Sequence, residues 1–370
     1  MKNKKHILFI TSWYPSRVLP SNGDFIQRHA EAVALLHQVT VIHVVTDPNL
    51  NKTEIKDEMI NGVRTLVAFI KPSLVKVFSF INAYKTLLKK AGSFDFIHIN
   101  KLFPVGIIGV YYKLFKKKQY IISEHHHIYH NPYNKHIGFI EKILSRVITN
   151  QAKYVCPVSD DLGAAMQNFG LLGKYKKVPN VIFTDIFTAK KHQEKDKFSL
   201  LHVSSMDAVK NVKGILETIA ELQKHIPSFL FYLIGNDSTK YKKLAHELGI
   251  LDSNIVFIEE ITQQELAAYY KKATVLLLFS QIETFSCVVY EAFSSGTSVI
   301  STEVGGIPEY FLKDYGSLIA RNDTKQLLDA ILVQYNKKMQ NNPDEMHQLI
   351  VDQFSPLSIA KQFTELYGLD

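Results

Sequence analysis

Along the first half of the chain, short apolar runs alternate with longer amphipathic stretches, the pattern of a parallel sheet covered by helices. The runs His6–Thr11, Val39–Thr46, Arg64–Ile70, Phe94–Asn100, Gln119–Ser123 and Tyr154–Ser159 predict strands. Between them, Asp24–His37, Phe78–Lys90, Val105–Phe115, Gly138–Asn150 and Asp160–Phe169 predict helices. The polar, lysine-rich segment Ala189–Lys197 then breaks the series and reads as a linker.

A second alternating series starts near Phe198, with strands expected at Phe198–Ser204, Phe229–Ile234, Asn254–Ile258, Val275–Ser280, Ser298–Ser301 and Ser317–Ile319. Each is short and mostly apolar, as a sheet buried on both faces requires. The expected organisation is α/β, with one domain over residues 1–190 and a second over 198–352. The last amphipathic stretch, within residues 356–370, is expected to pack back on the first domain. A chain of 370 residues is long enough for two cores. The halves share an architecture and no repeat period. Because open α/β sheets bind ligands beyond the carboxyl ends of their strands, the active site is expected in a cleft between the domains.

Composition narrows the class. Hydrophobic residues make up 46% and charged residues 21% of the chain, ordinary for a globular protein. The apolar run Ile7–Ile10 is far too short for a signal peptide or a membrane span, so the chain is expected in the cytoplasm. Cys156 and Cys287 are the only cysteines, which suggests neither a disulfide framework nor a zinc site. Residues 1–190 carry 26 Lys and Arg against 12 Asp and Glu, and the remainder 17 against 23. The net charge of +8 thus divides into +14 and −6, and the basic half should attract an anionic partner.

The segment with the most chemistry runs from Ser280 to Glu309 and reads as strand, acidic loop, helix, glycine turn, strand and a second glycine loop. Glu283 and Glu291 bracket the start of its helix. Backbone N–H groups near Thr284, Phe285, Ser286 and Cys287, with the positive end of the helix dipole, can hold a diphosphate without metal. The carboxylates would repel phosphate, so neutral hydroxyls are their natural partners: a sugar for Glu283 and a ribose for Glu291. The alternative is an N-cap carboxylate at Glu283 and a solvated helix face at Glu291.

Glu283 and Glu291 with Gly296-Thr297 and Gly305-Gly306-Ile307-Pro308-Glu309 resemble the signature of the retaining GT-B glycosyltransferases of family four, the glycosyl transferases group 1. Ser12-Trp13-Tyr14-Pro15, Asn22-Gly23-Asp24-Phe25 and His29 resemble that family's first strand-to-helix loop, and Val158-Ser159 and Val178-Pro179-Asn180-Val181 the end of its first domain. The resemblance implies two Rossmann-like domains facing each other across a deep cleft, a nucleotide diphosphate-sugar donor, and no cofactor or metal.

It also implies roles. Lys210 matches the lysine that stabilises the leaving diphosphate, while Ser205 stands where the family usually has an arginine five residues earlier. Lysine does not reproduce a guanidinium fork, so Ser205 bears on donor identity or rate. Without the motif, Lys210 reads as an exposed lysine before a helix. His125 aligns with the histidine that contacts the donor sugar, and Gly23 would let backbone approach the phosphates, or simply make a turn. His125, His126, His127 and His130 also raise a metal site, but neighbouring side chains on an extended chain alternate in direction and no D-x-D motif accompanies them.

The acceptor implied is a glycan or lipid-linked glycan, in bacterial surface polysaccharide or lipopolysaccharide biosynthesis. Basic and aromatic residues interleave over Lys71–Lys90, and Lys113–Lys118 adds charge, which suggests peripheral contact with anionic membrane or else an ordinary amphipathic helix. No recognition motif points to nucleic acid. Rival readings are a nucleotide-sugar epimerase of the same fold and a non-catalytic nucleotide-sugar-binding or lipid-binding protein. An NAD-dependent oxidoreductase lacks its glycine fingerprint here.

Overall fold

The computed structural model of the chain describes residues 4–73, 76–189, 197–226, 228–336 and 342–369. It divides into two compact units, residues 1–181 with 356–370, and residues 182–355. Residues 190–196 of the expected linker lie outside the described residues.

The first unit runs β1 (His6–Thr11), α1 (Asp24–Ala34), β2 (Gln38–Thr46), β3 (Glu54–Ile60), β4 (Val63–Ile70), α2 (Lys76–Ala91), β5 (Phe96–Asn100), α3 (Gly106–Lys116), β6 (Tyr120–Glu124), α4 (Phe139–Gln151), β7 (Tyr154–Pro157) and α5 (Asp160–Asn168). Its sheet has the order β3-β4-β2-β1-β5-β6-β7 and is parallel except for β3 against β4. Each residue of β5 and β6 is buried, as strands covered on both faces must be. Right-handed crossovers put α2, α3 and α4 on one face of this sheet and α1 on the other.

The second unit runs β8 (Ser199–Val203), α6 (Val212–Leu222), β9 (Leu230–Ile234), α7 (Lys242–Glu247), β10 (Ile255–Ile258), α8 (Gln263–Lys272), β11 (Val275–Leu278), α9 (Cys287–Ser294), β12 (Ser298–Thr302), β13 (Gly316–Ile319), α10 (Thr324–Asn336) and α11 (Pro343–Phe354). Its wholly parallel sheet has the order β10-β9-β8-β11-β12-β13. A core of Leu200, Ile215, Phe231, Leu277, Phe279 and Ile331 among others packs against it. The closing helix, α12 (Pro356–Tyr367), lies on α1 in the first unit. There His37 Nε2 meets Thr364 Oγ1 at 2.9 Å, and Lys153 Nζ donates to the Tyr367 carbonyl at 2.7 Å.

Three details differ from the sequence reading. The strand β3 was not expected, because its Lys56, Asp57 and Glu58 do not read as strand; it is a charged sheet edge turned by Asn61-Gly62, both at positive φ. Residues 182–189, expected with the first domain, belong to the second, where Ile182 N–H donates to the Phe354 carbonyl at 2.9 Å and Lys271 Nζ to Thr188 Oγ1 at 2.7 Å. The same unit extends to Ser355, past residue 352, because α11 continues to Phe354.

Candidate active site

In the second sheet the chain moves outward one way from β8 to β9 and β10, then returns to lay β11 on the other side of β8. The carboxyl ends of β8 and β11 therefore flank a topological switch, where crossover helices leave a crevice open to ligands. The loops leaving those two strands carry Lys210 and Glu283.

Lys210 ends a single 3-10 turn, Ala208–Lys210, and Asn211 then caps α6 by accepting the Gly214 N–H at 3.3 Å. Its Nζ lies 2.8 Å from Glu283 Oε1, and the Ser280 hydroxyl donates to the same oxygen at 2.7 Å. Both partners are largely buried. Burial alone would push the Lys210 pKa down, but the Glu283 charge and hydrogen bond outweigh it, so the pKa rises and the ammonium stays charged. The structure thus joins two predicted residues directly, and Lys210 is not the isolated exposed lysine that the bare sequence allows.

Beyond Glu283 the chain passes Thr284 and turns inward. The Phe285 side chain is fully buried, its ring 4.5 Å from Tyr290 and 5.4 Å from Phe354, so only its backbone is available to a ligand. Ser286 sits at φ 67, which delays α9 to Cys287 rather than letting it start near Phe285. Left-handed geometry at a residue with a Cβ costs on the order of 1 kcal/mol or more and clusters at ligand-binding turns. One turn into the helix, Glu291 is 2% exposed and accepts the Tyr270 hydroxyl at 3.0 Å. It does not lie on a solvated face. The glycine loop after β12 is tied to the same place, since Gly306 N–H donates to the Glu283 carbonyl at 3.3 Å.

Ser205 is placed differently. It is exposed and its hydroxyl donates to Asp207 at 2.7 Å.

The first sheet has its own switch between β1 and β5. Gly23 precedes α1 at φ 77, and a Cβ there would stand 2.8 Å from the carbonyl carbon of Trp13, so both conformation and space demand glycine. His125 follows β6 and is buried, with Nδ1 donating to Asn180 Oδ1 at 3.0 Å. Burial, reinforced by nearby His29, holds its pKa well below 6.5, against a smaller opposing pull from Asn180. It is a neutral imidazole. His29 Nε2 donates to the Pro179 carbonyl at 3.1 Å, so His29 and His125 grip neighbouring residues of one segment.

The other histidines of this run turn to different partners, although the His126 and His127 rings also meet edge-on at 4.9 Å. His126 stands edge-on to Trp13 at 4.9 Å, His127 to Tyr133 at 4.8 Å, and His130 Nε2 reaches Asp161 at 2.6 Å. Among the described residues no three His, Cys, Asp or Glu side chains converge in a way that could hold a metal ion.

Several residues were missed from the sequence. Glu124 is buried and accepts the backbone N–H groups of Leu102, His125 and His126 at 2.8, 2.9 and 3.0 Å, which shapes the loops after β5 and β6. Burial raises its pKa, those three bonds opposing. Lys101 lies 3.6 Å over the Trp13 ring. A cavity of about 240 Å³ is lined by Lys101, Pro104, Glu124, His126, Tyr129 and Glu141. A carboxylate at the end of an apolar strand was the available signal for Glu124; Ser280 and Tyr270 carried none.

Comparison with known proteins agrees with this architecture. Residues 25–186 match the model described as Glycosyltransferase Family 4, and residues 184–349 that of Glycosyl transferases group 1. An uncharacterized glycosyltransferase of Methanocaldococcus jannaschii is 26% identical over 88% of each chain. The N-acetyl-alpha-D-glucosaminyl L-malate synthase of Bacillus anthracis is 28% identical over 45% of this chain and 44% of its own. Among solved structures, sucrose-phosphate synthase of Thermosynechococcus elongatus superposes with TM-score 0.77 at 20% identity, covering 99% of this chain and 98% of that one. HepE of Anabaena, in complex with UDP and glucose, gives 0.74 at 15% identity over 98% and 99%. With both halves matched in order and two parallel Rossmann-like sheets, the chain belongs to the family-four GT-B glycosyltransferases.

Proposed function

We propose that this glycosyltransferase moves a sugar from a nucleotide diphosphate-sugar to a hydroxyl of a glycan or lipid-linked acceptor, with retention of anomeric configuration and without metal. The observation that carries this reading is the Lys210–Glu283 pair at the β8/β11 switch, beside the start of α9. Lys210 and the N–H groups from Thr284 to Cys287 receive the diphosphate, Glu283 a hydroxyl of the sugar and Glu291 the ribose. Ser205, bonded to Asp207, contributes less than an arginine would. His125, as a neutral imidazole, serves a sugar hydroxyl, with Gly23 at the phosphates.

The acceptor oxygen bonds to the anomeric carbon on the face from which the diphosphate leaves, and the hydroxyl proton goes to the departing phosphate oxygen. Catalysis then rests on positioning and charge stabilisation. Structural neighbours include WaaG, described as involved in lipopolysaccharide biosynthesis, which supports surface-glycan assembly as the pathway class. The UDP in the HepE structure makes uridine diphosphate the first nucleotide to try.

The test is a thermal-shift panel of UDP, GDP, ADP and their sugar conjugates, with Glu291→Ala beside the natural chain. A nucleotide-selective rise in Tm that weakens in the variant supports the site. No rise with any donor counts against it.

A further inference from the structure

The helical layer over β5 and β6 exposes an unusual amount of apolar surface. On α3, Ile107, Tyr111, Leu114 and Phe115 are exposed, Phe115 at 71%; on α4, Phe139, Ile140, Ile143 and Val147 are, with Phe139 at 79% and Ile140 at 72%. These positions recur at helical spacing, so each set forms one stripe. In each helix the stripe lies opposite the buried residues, Gly106 and Gly109 on α3 and Ser145, Ile148 and Thr149 on α4. The two helices pack side by side, Lys113 Nζ donating to the Gln151 carbonyl. Both stripes therefore face away from the sheet as one patch.

The patch is set in positive charge. Residues 101–153 hold nine basic side chains, Lys101, Lys113, Lys116, Lys117, Lys118, Lys135, Lys142, Arg146 and Lys153, against Glu124 and Glu141. Glu124 is buried, while Lys116, Lys117 and Lys135 are exposed. A second copy of the chain fits this face poorly, because a two-fold contact would press the basic rims together. An anionic lipid surface suits it: apolar side chains enter the headgroup boundary and lysines meet the phosphates. No described helix is long and apolar enough to cross a membrane, so contact here would be interfacial.

The patch also leads to the cavity. Pro104 and Glu141, on its wall, stand just before Ile107 and just after Ile140. We infer that the α3–α4 face docks on an anionic bilayer and thereby holds the cavity between the two helix starts at headgroup level, where a lipid-anchored acceptor presents its sugar. This builds on the acceptor reading above; of the membrane contact expected from sequence it keeps the charge of Lys113–Lys118 and moves the apolar contact away from Lys71–Lys90. There Leu74 and Val75 lie outside the described residues, and α2 exposes only Val77, Phe78 and Ile81 among its large apolar side chains.

Flotation with vesicles of phosphatidylcholine containing about a third phosphatidylglycerol tests the docking. The natural chain should float with these vesicles, not with pure phosphatidylcholine, and less as salt rises. Lys116→Gln with Lys117→Gln should lower partitioning about 25-fold, at roughly fivefold for each lysine. Phe115→Ser with Phe139→Ser should lower it roughly tenfold or more. The nucleotide-induced Tm shift should be unchanged in all of them, because none of the substituted residues is assigned to the donor, and the unfolding transition itself reports that they fold. Three results overturn the inference: no flotation at any phosphatidylglycerol content, flotation abolished only by Val77→Ser with Phe78→Ser, or a concentration-dependent dimer that the α3–α4 changes dissolve without vesicle binding. A missing Tm shift with intact flotation would instead sink the donor reading and leave the docking standing.

Discussion

Lys210 and Glu283 stand 73 positions apart in sequence and close a 2.8 Å ion pair at the switch point of the second sheet. A diphosphate arriving at Lys210 must take the place of that carboxylate as its counter-charge. Glu283→Gln keeps the side-chain shape and removes the competitor. It should tighten nucleoside diphosphate binding severalfold by calorimetry while transfer falls by about a hundredfold, since the lost sugar contact acts mainly in the transition state. Weaker nucleotide binding in this variant would show that the pair is structural.

Removing the cation is harsher. Lys210→Met leaves Glu283 buried with only the Ser280 hydroxyl. A loss of about 3 kcal/mol in urea unfolding is expected, and Lys210→Met with Glu283→Met should recover most of it. If the double variant is no more stable than the single one, the pair is not energetically coupled.

Tyr270 is expected to act through Glu291. Tyr270→Phe deletes the hydroxyl that fixes the carboxylate, at a cost of about 1 kcal/mol. If Glu291 holds the ribose, the KM for donor rises while kcat changes little. A fall in kcat at constant KM would place Glu291 in the chemical step.

Acid should destabilise the fold well above the range of ordinary carboxylates. His29, His43 and His202 are held neutral by burial with pKa values near 4, and burial also holds His98 and His125 well below 6.5. Their folded values lie below the unfolded 6.5, so the unfolded chain binds more protons as pH falls through that window. Each histidine near 4 should remove about 1–2 kcal/mol between pH 7 and pH 5. The His130–Asp161 pair works in the opposite direction. Burial lowers the His130 pKa, but Asp161 more than compensates and raises it, so this pair's contribution is present below 6.5 and lost as pH rises through the raised value. A partly exposed pair is worth about 0.5 kcal/mol, too little to cancel the rest. Tm measured across pH 5–8 should therefore fall on the acid side; a flat profile would contradict the burial of these rings.

Much of this was legible because parallel strands buried on both faces are continuous apolar runs and their loops carry the polar exceptions. Eleven predicted strands plus Phe94–Asn100, found as Phe96–Asn100, follow that rule. The charged edge β3 does not, although Asn61-Gly62 was a hairpin signal. Glu283 and Glu291 read as bracketing a helix start, and α9 does begin between them, but sequence does not tell a solvated glutamate from one buried on Tyr270. Nor does it show that Ser205 turns to Asp207, or that Glu124 gathers three backbone N–H groups. The Tyr270 and Leu102 contacts depend on which segments the sheet order brings together, and those of Ser205, His125 and His126 on the local path of a single loop.

The most direct test of the central claim is NMR of the purified protein with a nucleotide diphosphate-sugar selected by thermal shift and an acceptor glycan. The account predicts release of nucleoside diphosphate and a new glycosidic bond with the donor's anomeric configuration, both lost in Lys210→Met. Inversion at the anomeric carbon, an altered sugar still attached to its nucleotide, or turnover untouched by Lys210→Met would contradict it.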